Sequence, residues 1–529
     1  MIKKYLLLIA LFLGIVWDIL FWEKTPGISF PVFIAICLAG AFFLLRSEGI
    51  QPSKASIFLM GLVVLLAVFT FIRKDPLTNL LSYALTLLFA SILAATYHNG
   101  TWTRFNLSDY VREVFAILGG LIVFPWKFLF SGTKSSGEAN SAQSRSIILP
   151  VLRGLLLAVP VVLVFTSLLS SADMVFSQRV EALLQSFRIE NIGEYFAQGI
   201  IALMIAYIMI GLVKIAEVYG HKTEPLGNKD SAVKPFLGFT EGATVLIAVI
   251  ILFGLFVVIQ FQYFFSGELN INSAGFTYAE YARRGFGELI WVAVFCLLMI
   301  QVLRTVLKIE TSRQHKLLTM LIIGLVSLTL VILISSYQRL SLYESAYGFS
   351  RLRTYSHFFI LWLGLLLISV VVFEVMNKPR IFANAVLAMV VGFVITLSFL
   401  NVDAFIVRRN IARADQGMEL DSAYLASLSS DAIPRLAEEF NSSEHSSSAI
   451  RNEIGAALAC QNNRLAIDES DPYNNSWPSF HFADWKARNA LDGIQAELGR
   501  YRIQSDDYGS MVVDPHGVEF YCQSYMGID

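Results

Sequence analysis

Between Tyr5 and Leu400 the chain is a succession of continuously apolar runs, each closed by a short polar or charged segment. A hydrocarbon core about 30 Å thick is crossed by about 20 helical residues. Runs of that length without polar alternation predict helices rather than barrel strands. About twelve runs meet this criterion: Tyr5–Trp22, Ile28–Leu45, Ala55–Ile72, Thr78–Tyr97, Val111–Phe130, Ile147–Leu169, Tyr195–Val218, Phe239–Phe265, Phe286–Leu307, Lys316–Ser336, Tyr355–Phe373 and Ile381–Leu400. Charged residues make up 15% of the chain, against about 25% in soluble proteins. Lys3 and Lys4 precede the first run as they would in a signal peptide. No small-residue cleavage site follows, and Trp17, Asp18 and Trp22 stand where one would lie, so a retained helix is expected.

The expected fold class is an all-α polytopic transmembrane helix bundle of about 12 spans with a small α+β C-terminal extramembrane domain. Four regions follow: amino-terminal transmembrane helices (1–131), a polar linker loop (132–146), a transmembrane core carrying charged segments (147–402) and a polar domain (403–529). Within the polar domain, Asp421–Phe440 and Ser447–Cys460 carry apolar residues at three- and four-residue spacing, and Phe482–Leu498 is a third helix candidate. Met511–Val513 and Val518–Cys522, separated by Asp514, Pro515, His516 and Gly517, predict a hairpin.

Lys and Arg total 40 and Asp and Glu 41, a net charge of -1. Nucleic acid is therefore not an expected partner, because no cation excess exists to neutralise phosphates. The lysine and arginine rule does not choose an orientation, since the loops of the two faces carry similar numbers. Cysteines supply the direction. Cys37 and Cys296 lie in spans, whereas Cys460 and Cys522 are the two in the polar domain, which suits one disulfide in an oxidising, extracytoplasmic compartment.

Three charged, mostly tyrosine-bearing segments abut spans, and two crossings separate each from the next, so one membrane face should receive all three. In YAEYARRGFGE, Glu280, Arg284 and Glu288 are four apart, and Arg283 and Arg284 are candidate anion contacts. In RLSLYESAYGFSRLR, a helix would align Arg339, Tyr343, Tyr347 and Arg351, with Glu344 near the Arg351 edge, Arg353 beyond and Gly348 a possible break. Arg and Tyr together hold a carboxylate, phosphate or sugar by forked hydrogen bonds and stacking. DAFIVRRNIAR adds Asp403, Arg408, Arg409, Asn410 and Arg413. The plain alternative for each is interfacial anchoring, with tyrosines in the aromatic belt and arginines snorkelling. Asp18 and Asp173 are candidate ion-coupling acids, although an acid near a span end more often caps a helix or faces water.

No P-loop, HExxH, CxxC or GxSxG pattern occurs, and the histidines have no metal-ligand spacing. His357 reads as an interfacial residue. No metal and no cofactor are expected. The leading expectation is a non-enzymatic envelope protein that binds membrane lipids, a lipid-linked glycan precursor or an envelope protein. A secondary transporter and a membrane-embedded transferase using Glu280, Glu344 or Asp403 as base are the alternatives.

TYAEYARRGFGEL, RLSLYESAYGFSRLR and NVDAFIVRRNIAR followed by LDSAYLASLSSDAIPRL resemble a family of bacterial polytopic membrane proteins catalogued as domain of unknown function 4173, related to 4153. The similarity runs from about Ser170 to Leu436. It implies a multi-pass protein of the bacterial inner membrane and carries no catalytic residue or substrate.

Overall fold

The computed structural model describes residues 2–130, 192–220, 235–265, 285–376, 381–442, 449–506 and 509–522, with short helical stretches between 162 and 180. The helices are α1 (Ile2–Phe21), α2 (Ser29–Ser47), α3 (Lys54–Ile72), α4 (Pro76–Thr96), α5 (Leu107–Phe130), α6 (Ile192–Gly220), α7 (Phe239–Phe265), α8 (Phe286–Val306), α9 (Ser312–Tyr347), α10 (Arg351–Val375) and α11 (Phe382–Leu400). Among the described residues, nine of these are long and apolar enough to cross a membrane, with mean hydropathies of 1.8 to 3.0, and α1 adds a shorter apolar stretch. The chain is a multi-pass membrane protein. The expected number of about twelve spans is not reached among the described residues. Most of Ile147–Leu169 lies outside them, α5 is absent from the nine, and its Asp109, Arg112, Glu113 and Lys127 break its apolar character.

Local chemistry sets where the spans begin. Ser53 caps α3 by accepting from the Ser56 N–H, and Asp75 caps α4 ahead of Pro76. Thr311 and Gln314 form a reciprocal capping box on α9. Hydroxyls inside α4 are satisfied by carbonyls one turn back, Ser82 on Thr78 and Thr86 on Ser82, at 2.7 Å each. Hydrocarbon offers them no other partner.

The described residues of 3–22 and 121–211 form one compact unit, in which Trp22 Nε1 donates to Glu194 Oε1 at 3.2 Å. Residues 23–120 with 212–529 form the other. In this second unit α3 pairs with α4, and α9 packs against α7, α8 and α10. Ile300, Leu325, Leu340 and Leu367 are wholly buried among these helices, while Trp291, Phe295, Ile334 and Leu365 are exposed, as lipid-facing residues are.

After α11, Asn401 takes a left-handed conformation (φ 53) and turns the chain into α12 (Val402–Ala414). The C-terminal part continues with α13 (Ser422–Ser427), α14 (Ile433–Phe440), α15 (Ala449–Ser470), α16 (Phe482–Asp492), α17 (Gln495–Leu498) and an antiparallel sheet β1 (Arg502–Asp506), β2 (Gly509–Val513), β3 (Glu519–Cys522) in that order. The single helix expected over Asp421–Phe440 is instead two, parted by a short 3-10 turn at Ser430–Ala432. Ser429 and Ser430 turn their side chains to Asp403 and Asp484 there. Phe482–Leu498 likewise divides at Gly493. The hairpin is β2 and β3, and β1 adds a strand that residue pattern did not reveal. Cys460 of α15 and Cys522 of β3 are disulfide-bonded, with Cα atoms 5.6 Å apart.

One apolar cluster runs without interruption from Phe393 and Leu397 in α11, through Ile406 and Ile411, to Leu425, Ile433, Leu458 and Val512. The polar domain is therefore packed onto the end of the bundle rather than tethered to it.

Candidate functional site

α9 ends at Tyr347 because Gly348 adopts φ 84, a conformation that releases the helix, and α10 begins three residues later. α12 lies along this turn. Its Asp403 meets Arg351, its Asn410 brackets Phe349 through the backbone N–H (2.7 Å) and carbonyl (2.9 Å), and its Arg413 donates to the Ser345 and Ala346 carbonyls. Arg353 donates to the Tyr347 and Gly348 carbonyls while lying 4.1 Å above the Tyr343 ring. Two guanidiniums thus satisfy the open carbonyls at the C-terminus of α9, where the helix dipole also favours cations.

Arg351 and Asp403 form a forked pair, Nε to Oδ1 at 2.8 Å and Nη2 to Oδ2 at 2.6 Å, with Asp403 0% exposed. Ser429 donates to Oδ2 through both its backbone N–H (2.7 Å) and its hydroxyl (2.6 Å). The Arg351 N–H donates to the Tyr424 hydroxyl, and the Tyr355 hydroxyl donates to Asp75 at 2.7 Å. Beside this lies a second group. Asp431 accepts from Arg73 (3.1 Å) and from the Lys74 backbone N–H (2.6 Å), and Lys74 Nζ reaches Asp484 at 2.7 Å. Carboxylates from the bundle and from the polar domain alternate here with cations, so the junction between them is stitched electrostatically as well as packed.

Burial pushes the Asp75 carboxyl up, and the nearby Asp403 pushes it further. Burial also raises Asp431 to about 6, against the opposing pull of Arg73 and the Lys74 N–H. Asp484 is pushed up by burial, but Lys74, the Ser430 hydroxyl and His481 together outweigh that effect and hold it below the usual carboxylate range. His481 is pushed down to about 4 by burial. The neutral ring is accommodated there: Nδ1 accepts from the Ala483 N–H and Nε2 faces the Thr70 carbonyl at 2.9 Å, so an imidazole protonated on Nε2 satisfies both.

These two residues act oppositely on stability. His481 contributes stability that is present above the ordinary imidazole value of 6.5 and is lost as pH falls toward about 4. The raised Asp431 contributes stability that is present below 3.8 and is lost as pH rises through about 6. One pKa unit corresponds to about 1.4 kcal/mol, so each tilts the profile by on the order of 3 kcal/mol, in opposite senses. Asp431→Asn removes the opposing tilt, so stability is expected to rise more steeply between pH 4.5 and 6.5 than in the parent. Thermal unfolding of the detergent-solubilised parent and variant at both pH values checks this, and the same pH dependence in the two contradicts it.

The remaining expected site residues are distributed as follows. Glu280, Arg283 and Arg284 lie outside the described residues, and Glu288 is exposed on the first turn of α8. Arg339 places its guanidinium where a side chain at Gly285 (φ 98) would stand, so the end of the first segment does meet the second. Glu344 is not at the Arg351 edge, because the helix ends before Arg351. It is buried and its Oε2 lies 3.0 Å from His357 Nδ1, with the Tyr337 ring edge-on to the imidazole. Arg408 and Arg409 are exposed, with guanidinium carbons 5.7 and 5.3 Å from the centre of the Phe405 ring. Asp173 caps a helix by accepting from the Val175 and Phe176 N–H groups, and Asp18 is half-buried in α1. Arg351, expected to meet a ligand, is held by Asp403 instead.

Sequence reading passed over Arg73, Lys74, Asp75, Tyr355, Tyr424, Asp431, His481 and Asp484. The usable signal was Arg73-Lys74-Asp75-Pro76, a dense charge run in the tight connection between two spans.

Residues 60–439 match a family described as Domain of unknown function (DUF4153), so the label 4173 gives way to its relative. The matched stretch holds Arg73, Arg351, Asp403 and Asp431 and stops short of His481, Asp484 and the disulfide. No curated protein and no solved structure matches the chain.

Proposed function

The chain belongs to the DUF4153 family, and from that premise we propose a non-enzymatic membrane protein that binds phosphate-bearing headgroups beside the junction of its bundle and its C-terminal domain. The observation that carries this reading is the state of Arg408 and Arg409. Arg351, Arg353 and Arg413 are turned inward onto protein acceptors. Arg408 and Arg409 are exposed about two turns beyond the last span, flank an aromatic ring and pair with no carboxylate among the described residues. Guanidinium forks match phosphate oxygens, and a juxtamembrane basic pair is attracted to anionic lipid.

The proposal also places the C-terminal domain outside the cytoplasm of a bacterial inner membrane. The Cys460–Cys522 bond supports an oxidising compartment, and the resemblance to bacterial inner-membrane proteins supports the rest.

A free lipid and a lipid-linked glycan precursor share the phosphate chemistry, so the test carries both. Native mass spectrometry would follow retention of phosphatidylglycerol, of a polyprenyl diphosphate and of phosphatidylcholine by the parent and by Arg408→Gln/Arg409→Gln. At about 1 kcal/mol per basic residue, the double variant is expected to lose retention of at least one of the two anionic ligands by roughly 30-fold while phosphatidylcholine is unaffected. The ligand lost identifies the source. Unchanged retention of both overturns the proposal.

A further inference from the structure

The C-terminal domain carries a segment, Asp471–Trp485, in which four aromatic side chains are exposed: Tyr473 at 48%, Trp477 at 62%, Phe480 at 42% and Trp485 at 46%. Isolated exposed aromatics require no explanation. Here their position does. The Phe480 carbonyl accepts from the Ile28 N–H at 2.9 Å, immediately before α2, and Thr25 Oγ1 donates to Asn474 Oδ1 at 2.8 Å. At the other helix, His481 faces the Thr70 carbonyl, and the Phe71 ring lies within 5.9 to 6.3 Å of the rings of Phe480, His481 and Phe482. Gly27 is buried against this segment, where an added Cβ would stand 2.7 Å from the Ser479 carbonyl oxygen. The attachment is close and combines a backbone hydrogen bond, side-chain hydrogen bonds and ring contacts, so its level relative to α2 and α3 is set.

Both helices have 19 residues. At 1.5 Å per residue that is about 28 Å, just under the hydrocarbon thickness of about 30 Å. The start of α2 and the end of α3 therefore stand at the hydrocarbon boundary, and a chain hydrogen-bonded to them stands there too. Tryptophan and tyrosine are the residues favoured in that layer, where an apolar ring and a polar N–H or O–H are both accommodated.

We propose that Asp471–Trp485 is a membrane contact of the C-terminal domain, with Trp477, Tyr473, Phe480 and Trp485 seated in the interfacial layer of the leaflet that receives the start of α2 and the end of α3. The occupant of this surface is the bilayer that α2 and α3 span. The contact is independent of the Arg408 and Arg409 site.

In phosphatidylcholine nanodiscs, the emission removed by Trp477→Phe is read as the difference between the full-length parent and the variant. That difference is expected to be lost when the acyl chains are brominated and to survive aqueous iodide. Trp485→Phe provides the same reading at a second position. Quenching by iodide with none by brominated lipid would mean that both rings face water, and quenching by neither would mean that protein covers them, a second copy included. Either outcome overturns the proposal.

Discussion

Replacing Arg351 with alanine is expected to destabilise the docked C-terminal domain by about 3–5 kcal/mol, the range for removing one partner of a buried ion pair. Asp403 would remain wholly buried with Ser429 as its hydrogen-bond donor and no cation. Asp75, close enough to Asp403 for each to feel the other's charge, would worsen the imbalance. Arg351→Lys keeps the charge but cannot make both bonds of the fork and should fall between the two. The double variant Arg351→Ala/Asp403→Ala should be less destabilised than Arg351→Ala alone, since no charge is left unpaired. Limited proteolysis of the connection after α12, together with thermal unfolding, measures all three. If Arg351→Ala stays within about 1 kcal/mol of the parent, the pair is not buried as described.

Loss of the disulfide is expected to have a comparable effect on a different part of the molecule. Cys460 and Cys522 are 62 residues apart, and closing a loop of that length restricts the unfolded chain by about 4 kcal/mol in the chain-entropy account. The consequence should be concentrated on the sheet. Among the described residues β3 is an edge strand paired with β2 alone, and Cys522 ties it to α15. Reduction, or Cys460→Ser/Cys522→Ser, should open β1–β3 to proteolysis while α12–α14, packed into the cluster continuous with α11, persist. Identical protease patterns with and without reductant would contradict this. Thiol labelling of unreduced cells tests the compartment, because a cytoplasmic domain would leave Cys522 reactive.

Much of the architecture was legible from one-dimensional pattern. Spans are read from apolar length, so α2 begins at Ser29 where Ile28 was expected and α3 ends at Ile72 as expected. Gly348 was legible as a break because it interrupts a helical stripe. The hairpin was legible from Asp514-Pro515-His516-Gly517, and Asp514 does accept from the His516 and Val518 N–H groups. β1 was not, since Arg502–Asp506 carries no alternation and is a strand only because β2 lies beside it. The candidate site was legible as a list of residues and not as a set of partners. Arg351, Arg353 and Arg413 look equivalent in sequence. One meets a carboxylate, one a tyrosine ring and two carbonyls, and one the carbonyls of a helix end.

Residue pattern alone is enough to show that this chain spans a membrane many times, that few charges lie deep within the spans, and that a polar domain with two cysteines follows them. Those properties depend on local composition, to which hydrocarbon and water respond directly. Which charges are consumed in holding that domain, and which face outward, depends on how the helices pack. Arg351 and Asp403 are 52 residues apart, Tyr355 and Asp75 280, and the Lys74 N–H and Asp431 357. Such pairings exist because helix ends are gathered on one face, and a buried charge takes whichever partner that packing brings within reach.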